Sequence, residues 1–181
     1  MKAKETLSVR QRIIDTAARL FYQQGYQLTG INQLIAEAGV AKASLYQHFR
    51  TKDEILLAYL RQESQEWFQR VENTLATAAV TTPQANVLAV FGLLNEFLSA
   101  VNFRGCNFQN ALMQLAPEEK EVRAFIQDHK TAMGRVFARL IDNPSLAEEI
   151  TLLFEGRLIS CQVQQSLAPV QAAQRMVERL L

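Results

Sequence analysis

Between Lys42 and Phe49 the chain sets Lys42, Ser44, Tyr46, Gln47 and His48 on successive turns of one short predicted helix, within a protein that is 49% hydrophobic. At about 100° per residue, Leu45 and Phe49 fall together and Ala43, Ser44 and Gln47 gather on the opposite side. Lys42 and Tyr46 take one flank and His48 the other. Such a helix is anchored by two apolar residues and shows water a hydrogen-bonding face edged by a cation, a phenol and an imidazole. That is the chemistry of a major-groove probe. Small side chains let the backbone approach the bases, Ser and Gln bond to base edges, and the flanks hold phosphates. A merely solvated helix face would carry similar residues, so the surrounding elements decide between the two.

Those elements read as all-α, because four prolines and seven glycines interrupt the chain and no segment alternates convincingly. A first helix from about Val9 to Gln24 follows from the stripe Val9, Ile13, Ala17, Leu20 and Phe21, with Gly25 as its stop. Thr29 is expected to cap a second helix that buries Ile31, Leu34, Ile35 and Ala38 before Gly39. Thr51 and Glu54 read as a capping box, in which Glu54 reaches back to the Thr51 amide and opens a long helix from Lys52 to about Ala76. Residues 31–50 thus form two helices joined tightly at Ala38-Gly39-Val40, the helix-turn-helix arrangement whose second member enters the groove. Further helices are expected at about 83–101, with Thr82 as cap, and at 106–115, 117–142, 144–167 and 169–180. Pro117, Pro144 and Pro169 each mark a start.

The stretch "RIIDTAARLFYQQGYQLTGINQLIAEAGVAKASLYQHFRTKDEILLAYL" resembles the N-terminal DNA-binding region of TetR/AcrR-type transcriptional regulators over residues 9–60. Coincident elements are A-x-x-L-F-x-x-x-G-Y, the A-G-V turn, the S-L-Y-x-H-F helix and the T-K-D/E helix start. The resemblance implies an N-terminal three-helix DNA-binding domain with a helix-turn-helix, residues 8–68, and a larger C-terminal ligand-binding and dimerisation domain, residues 69–181. About nine helices are implied in all. It implies DNA contacts from Lys42, Ala43, Ser44, Tyr46, Gln47, His48 and Lys52. Ala41 and Gly30 stand where the family often has a hydroxyl residue, so hydroxyl work near Gly30 is left to Thr29.

Beyond residue 76 the resemblance becomes generic. Aromatic and sulfur residues at helical spacing mostly build core, and the set expected to line an effector pocket is Phe91, Phe97, Phe108, Met113, Phe125, His129, Met133 and Cys161. Cys106, after Gly105 and opening the next helix, is either a small packing residue or a redox- or electrophile-responsive thiol. Apolar residues Leu146, Ile150, Leu153, Phe154, Leu158 and Cys161, with Val170, Ala173, Met176, Val177 and Leu180, form the faces that the resemblance implies will pair in a homodimer.

Net charge is only +1, but residues 1–60 hold eight Lys and Arg against five Asp and Glu, a mild surplus suited to an anionic partner. Two histidines, no glycine-rich phosphate loop and no metal-ligand spacing argue against an enzyme, a metal or a cofactor. The longest apolar stretches are broken by Gly92, Asn95 and Glu96, short of the roughly 20 residues a membrane span needs. The N-terminus lacks the apolar core of a secretory signal, so a cytoplasmic protein is expected. The function expected is a ligand-responsive repressor that binds double-stranded, pseudo-palindromic operator DNA as a dimer and is released by an apolar or aromatic small molecule. The alternatives are an activator, a regulator acting through Cys106, and a helical small-molecule-binding module without DNA function, against which the polar groups of residues 42–48 speak.

Overall fold

The structure, a computed structural model, describes residues 7–77, 82–100 and 104–181, without the side chains of residues 96, 97, 99 and 100. The described residues form nine helices and no strand: α1 (Val9–Gln23), α2 (Ile31–Ala38), α3 (Lys42–His48), α4 (Lys52–Thr77), α5 (Pro83–Ala100), α6 (Asn107–Leu112), α7 (Lys120–Leu140), α8 (Pro144–Gln164) and α9 (Ala168–Leu180). No described helix is long and apolar enough to cross a membrane.

The chain gathers into two compact units. One holds the chain up to Glu63 together with Asn107–Ile126, and the other holds Ser64–Cys106 and Gln127–Leu181. These units are gathered by contact rather than by chain order, with α6 and the start of α7 grouped with the N-terminal helices. Specific bonds explain the grouping: the Gln27 amide donates to Gln114 Oε1 at 3.1 Å, Asn107 donates to Glu63 at 2.6 Å, and Tyr26 donates to Glu119 at 3.0 Å.

Within the first unit, Ser8 caps α1 by accepting from the Gln11 amide at 3.1 Å, and Ile13, Ile14, Ala17, Leu20 and Phe21 form its buried stripe. Gly39 ends α2 in the left-handed region at φ 61°, where a Cβ would meet Arg12 Nη2 at 2.9 Å. That turn sets the angle between α2 and α3 and suits glycine. Thr51 accepts from the Glu54 amide at 3.1 Å as expected, but the Glu54 carboxylate takes the Arg50 amide at 2.7 Å rather than that of Thr51. The box has slipped by one residue because the chain is extended at Phe49, which turns the Arg50 amide toward the helix start.

Three further expectations are corrected. Thr29 does not cap α2: Gly30 is the cap residue without a side-chain bond, while the Thr29 hydroxyl, fully buried, donates to Gly25 O at 2.7 Å. Pro117 does not open a helix; it lies in a turn, and α7 begins only at Lys120, because the Glu119 carboxylate accepts from the Ala116 amide and closes that turn first. The expected helix at 106–115 is shorter, Asn107–Leu112. Thr82 does cap α5, accepting from the Ala85 amide at 3.2 Å, and the expected end at residue 101 lies outside the described residues.

The second unit is built on aromatic packing. Phe91 on α5, Phe137 on α7 and Phe154 on α8 meet with ring centroids 5.2 to 5.9 Å apart, and Trp67 on α4 lies 6.3 Å from Phe154. Trp67 Nε1 also donates to Met133 Sδ at 2.9 Å. Helix α8 buries Ala147, Ile150, Phe154, Arg157, Leu158 and Cys161, and α9 packs on it through Val170, Ala173 and Val177. At its end α8 turns through Gln165 at φ 49°.

Candidate nucleic-acid interface and a buried cation

Helix α3 has seven residues, too few to stand on backbone hydrogen bonds alone. Leu45 is 1% exposed and Phe49 4%, and both α1 and α2 pack against the helix. Arg12 on α1 donates to the carbonyls of Ala38 and Gly39 and so ties the turn that delivers α3. Arg10 lies over the Phe49 ring at 5.3 Å. With two apolar residues held inside, the rest of the helix faces out: Lys42, Ala43, Tyr46, Gln47 and His48 are exposed and Ser44 is half-buried. Ala41 opens the helix without a side-chain cap.

Two expected contact residues make bonds within the chain. Thr29 is buried, as described, and cannot offer its hydroxyl to a phosphate. Lys52 turns inward: its ammonium donates to the carbonyls of Tyr26 at 3.0 Å and Thr29 at 3.3 Å and sits 4.2 Å from the Tyr26 ring centre. Burial pulls the Lys52 ammonium below its ordinary range, against the nearby carboxylates of Asp53 and Glu119. The Tyr26 hydroxyl donates to both of those carboxylates, and burial with these bonds raises its pKa. Lys52 is therefore a strut beneath the helix-turn-helix. Arg12 and Lys52 share this task, and the signal for Arg12 in the sequence was slight: one cation on the α1 face next to the buried Ile13.

The residues expected to line a pocket do not come together within one unit. Phe108, Met113 and Phe125 belong to the first, where Phe108 is buried, Met113 is 84% exposed and Phe125 lies under Arg61 at 5.8 Å. Met113 falls past the end of the shortened α6, which removes it from any helical face. Phe91, His129, Met133 and Cys161 belong to the second unit and are buried there. The side chain of Phe97 lies outside the described residues.

The second unit also holds charges that the aromatic pattern did not predict. Cys106 precedes α6 rather than opening it, is 8% exposed, and accepts from Lys130 Nζ at 3.6 Å, while Lys130 pairs with Glu155 at 2.6 Å. Burial alone would lower the Lys130 ammonium, but Cys106 and Glu155 hold it above the ordinary lysine range. Burial pushes the Cys161 thiol up. His129 Nδ1 bonds Ser64 Oγ at 2.8 Å, and its ring packs 5.3 Å from Phe68.

Arg157 is the most costly of these groups. It is 3% exposed, with its guanidinium carbon 3.9 Å from the Phe91 ring centre and 4.4 Å from that of Phe154. Among the described residues, none of its Nε, Nη1 and Nη2 atoms has a hydrogen-bond partner. Stacking on an aromatic face returns about 2 kcal/mol per ring when desolvated. Removing an ion from water costs several kcal/mol, and each buried N–H without an acceptor adds about 1–3 more. Two rings do not cover that sum. Burial accordingly pushes the guanidinium down to about 9, with Cys161 and Glu155 opposing, so it remains a cation at neutral pH.

Residues 13–59 match the family model for bacterial regulatory proteins of the tetR family. The HTH-type transcriptional repressor DhaR of Mycobacterium sp. (strain GP1) is 30% identical over 118 residues, 64% of this chain and 56% of DhaR. The HTH-type transcriptional regulator LmrA of Bacillus subtilis (strain 168) is 43% identical over 61 residues, 34% of this chain and 32% of LmrA. The chain therefore covers little more than half of the first relative and about a third of the second. A TetR-family transcriptional regulator from Streptomyces coelicolor has a similar structure, with a TM-score of 0.79 and 27% identity, over 95% of this chain and 93% of that one.

The buried imidazole makes one stability prediction. Burial, with the charge of Lys130 adding to it, pushes His129 down to about 3 from an ordinary 6.5. The folded chain keeps this group neutral while the unfolded chain takes up a proton below about 6.5. Its contribution is therefore complete above that value and is lost as pH falls toward 3, at a slope of about 1.4 kcal/mol per pH unit. Urea titrations between pH 7 and 4 should show this slope in the native chain and its loss in His129→Asn; equal slopes would refute the assignment.

Proposed function

We propose that this chain, which belongs to the TetR family of bacterial regulatory proteins, is a ligand-responsive repressor that binds a pseudo-palindromic operator as a homodimer and releases it when a small molecule occupies the second unit. As a transcriptional regulator it acts by binding. The observation that carries the proposal is α3: seven residues with Leu45 and Phe49 inside and Lys42, Ala43, Tyr46, Gln47 and His48 outside. In this reading Ser44 and Gln47 bond to base edges, Ala43 lets the backbone close on them, and Lys42, Tyr46 and His48 hold phosphates. Repression rather than activation is supported by the likeness to DhaR.

Dimerisation is supported by α8, which is apolar on two sides. Its inner side is core, so Ile150, Phe154, Leu158 and Cys161, expected from the sequence to pair with a second copy, are buried within the chain. Leu152, Ile159 and Val163 form an outer stripe, 67%, 48% and 77% exposed, beside Met176 and Leu180 of α9, two residues that the sequence did place in the pairing face. Gly156 lies in the same stripe with open space over its Cα, which allows close helix approach. A dimer carries two α3 helices, one for each half-site of a pseudo-palindrome, whose centres lie about 34–36 Å apart or a multiple of that, and a change in the spacing of the helices would release DNA.

A second reading, a regulator that responds to oxidants or electrophiles through Cys106, is favoured by the Lys130 ammonium 3.6 Å from its sulfur. Operator release by hydrogen peroxide that Cys106→Ser abolishes is its mark, and equal release in both chains would remove it.

Two measurements test the main proposal. On fragments selected from random DNA, Lys42→Ala should flatten the salt dependence of affinity by about one unit and Gln47→Ala should relax base preference. Lys52→Ala should lower thermal stability and leave the salt slope unchanged. Binding that ignores salt, or a Lys52→Ala slope reduced as much as that of Lys42→Ala, would contradict this assignment. In sedimentation, Ile159→Glu should turn dimer into monomer and lower operator affinity at least tenfold; a persistent dimer places the interface elsewhere.

A further inference from the structure

Helix α8 carries one residue that does not belong in its buried stripe. Ile150, Phe154, Arg157 and Cys161 follow one another at helical spacing, and Arg157 is as buried as its apolar neighbours. Its guanidinium is held between the faces of Phe91 and Phe154, 3.9 and 4.4 Å away, in the cluster completed by Phe137 and Trp67. No hydrogen-bond acceptor among the described residues serves any of its three nitrogens. The carboxylate two residues earlier, Glu155, accepts from Lys130 through Oε2 at 2.6 Å. On α5, one turn after Phe91, Asn95 also has a buried Oδ1 without a donor among the described residues.

We propose that Arg157 anchors the effector and that the effector is an amphipathic monocarboxylate, an acid with an aromatic or apolar body. This rests on the reading that the second unit takes the effector. A guanidinium presents a planar fork of donors, and a carboxylate is the anion whose two oxygens match it. The body of the acid takes the place of the guanidinium against Phe91 and Phe154. Charge selects the valence. With Lys130 already paired, Arg157 offers one positive charge, so a monoanion balances it, whereas a phosphate dianion would leave a charge unbalanced among aromatic rings. Neutral analogues leave the fork unsatisfied and bind more weakly, and amines add like charge.

Such a residue also predicts how the chain behaves with nothing bound. A buried cation without an acceptor is tolerated for what it binds, so an apolar residue of similar length in its place should not weaken the fold. A purely structural arginine would do the opposite.

The test uses the full chain and three acids with their amides: phenylacetate, 4-phenylbutyrate and decanoate against phenylacetamide, 4-phenylbutyramide and decanamide, with inorganic phosphate as a further arm. Thermal melts and calorimetry should show at least one acid binding at least tenfold more tightly than its amide. Arg157→Met should melt at or above the native temperature without ligand and lose that preference. Arg157→Lys, which keeps the charge without the fork, should retain only part of it. The proposal is overturned if no acid outbinds its amide, if phosphate stabilises as well as the acids, if Arg157→Met keeps the preference, or if ligand-free Arg157→Met melts well below native. Operator release is read separately. Acid binding without release sustains the site and counts against the repressor mechanism, whereas release by an uncharged compound with no acid binding does the reverse.

Discussion

A helix of seven residues cannot hold its own shape in water, since nucleating the first turn costs more than so few backbone bonds return. The first unit is arranged around that constraint. Leu45 and Phe49 supply apolar contact, Arg12 binds the carbonyls of the preceding turn, and Lys52 ties the next helix start to the carbonyls of Tyr26 and Thr29. Arg12 acts on the turn before α3, Lys52 on carbonyls before α2, and none of these groups occupies the outer face of α3. The outer face is thereby free of structural duty, and its residues can be chosen for what they touch.

The second unit answers to a different constraint. Helix α8 is apolar on both sides, so it has no face that water alone would choose as the outside. Its inner side is settled by the ring cluster of Phe91, Phe137 and Phe154, which leaves the stripe of Leu152, Ile159 and Val163 exposed. Large exposed apolar residues at that spacing are uncommon on a helix that ends its packing within one chain. The same two-sidedness explains why Ile150, Phe154, Leu158 and Cys161, expected from the sequence in a pairing face, are buried within the chain: periodicity finds apolar stripes but does not rank two of them.

The nine elements and the inward anchors of α3 were readable because they rest on local signals: helical periodicity, the Gly39 stop, the Thr51 hydroxyl three residues before Glu54, and proline at the start of α5 and α8. What depends on distant partners was not. A lysine at a helix start looks available to phosphate, and the inward turn of Lys52 is decided by carbonyls 23 and 26 residues earlier. Pro117 looks like a helix start until the Glu119 carboxylate closes the turn around it. Met113 and Met133 are alike in sequence terms, yet one is 84% exposed and the other 1%, because α6 ends one residue before Met113. Arg157 was legible, since the spacing from Ile150 through Phe154 to Cys161 puts it inside the stripe. Apolar periodicity alone does not count it, because it is the charged member of the stripe.

Hydrogen-bond accounting separates the two inward-facing cations, which burial alone would class together. Lys52 is half-buried, and its ammonium finds two carbonyls and an aromatic face, so most of what it lost from water is returned. Arg157 is more deeply buried, with more donors to satisfy, and among the described residues it finds two aromatic faces and no oxygen. A satisfied cation stabilises the fold by being where it is. An unsatisfied one destabilises it until an acceptor arrives, which makes the fold's free energy depend on that acceptor. The difference is a difference of role: Lys52 holds two segments of the reading head together, whereas Arg157 gives the second unit a reason to discriminate between an acid and its neutral isostere.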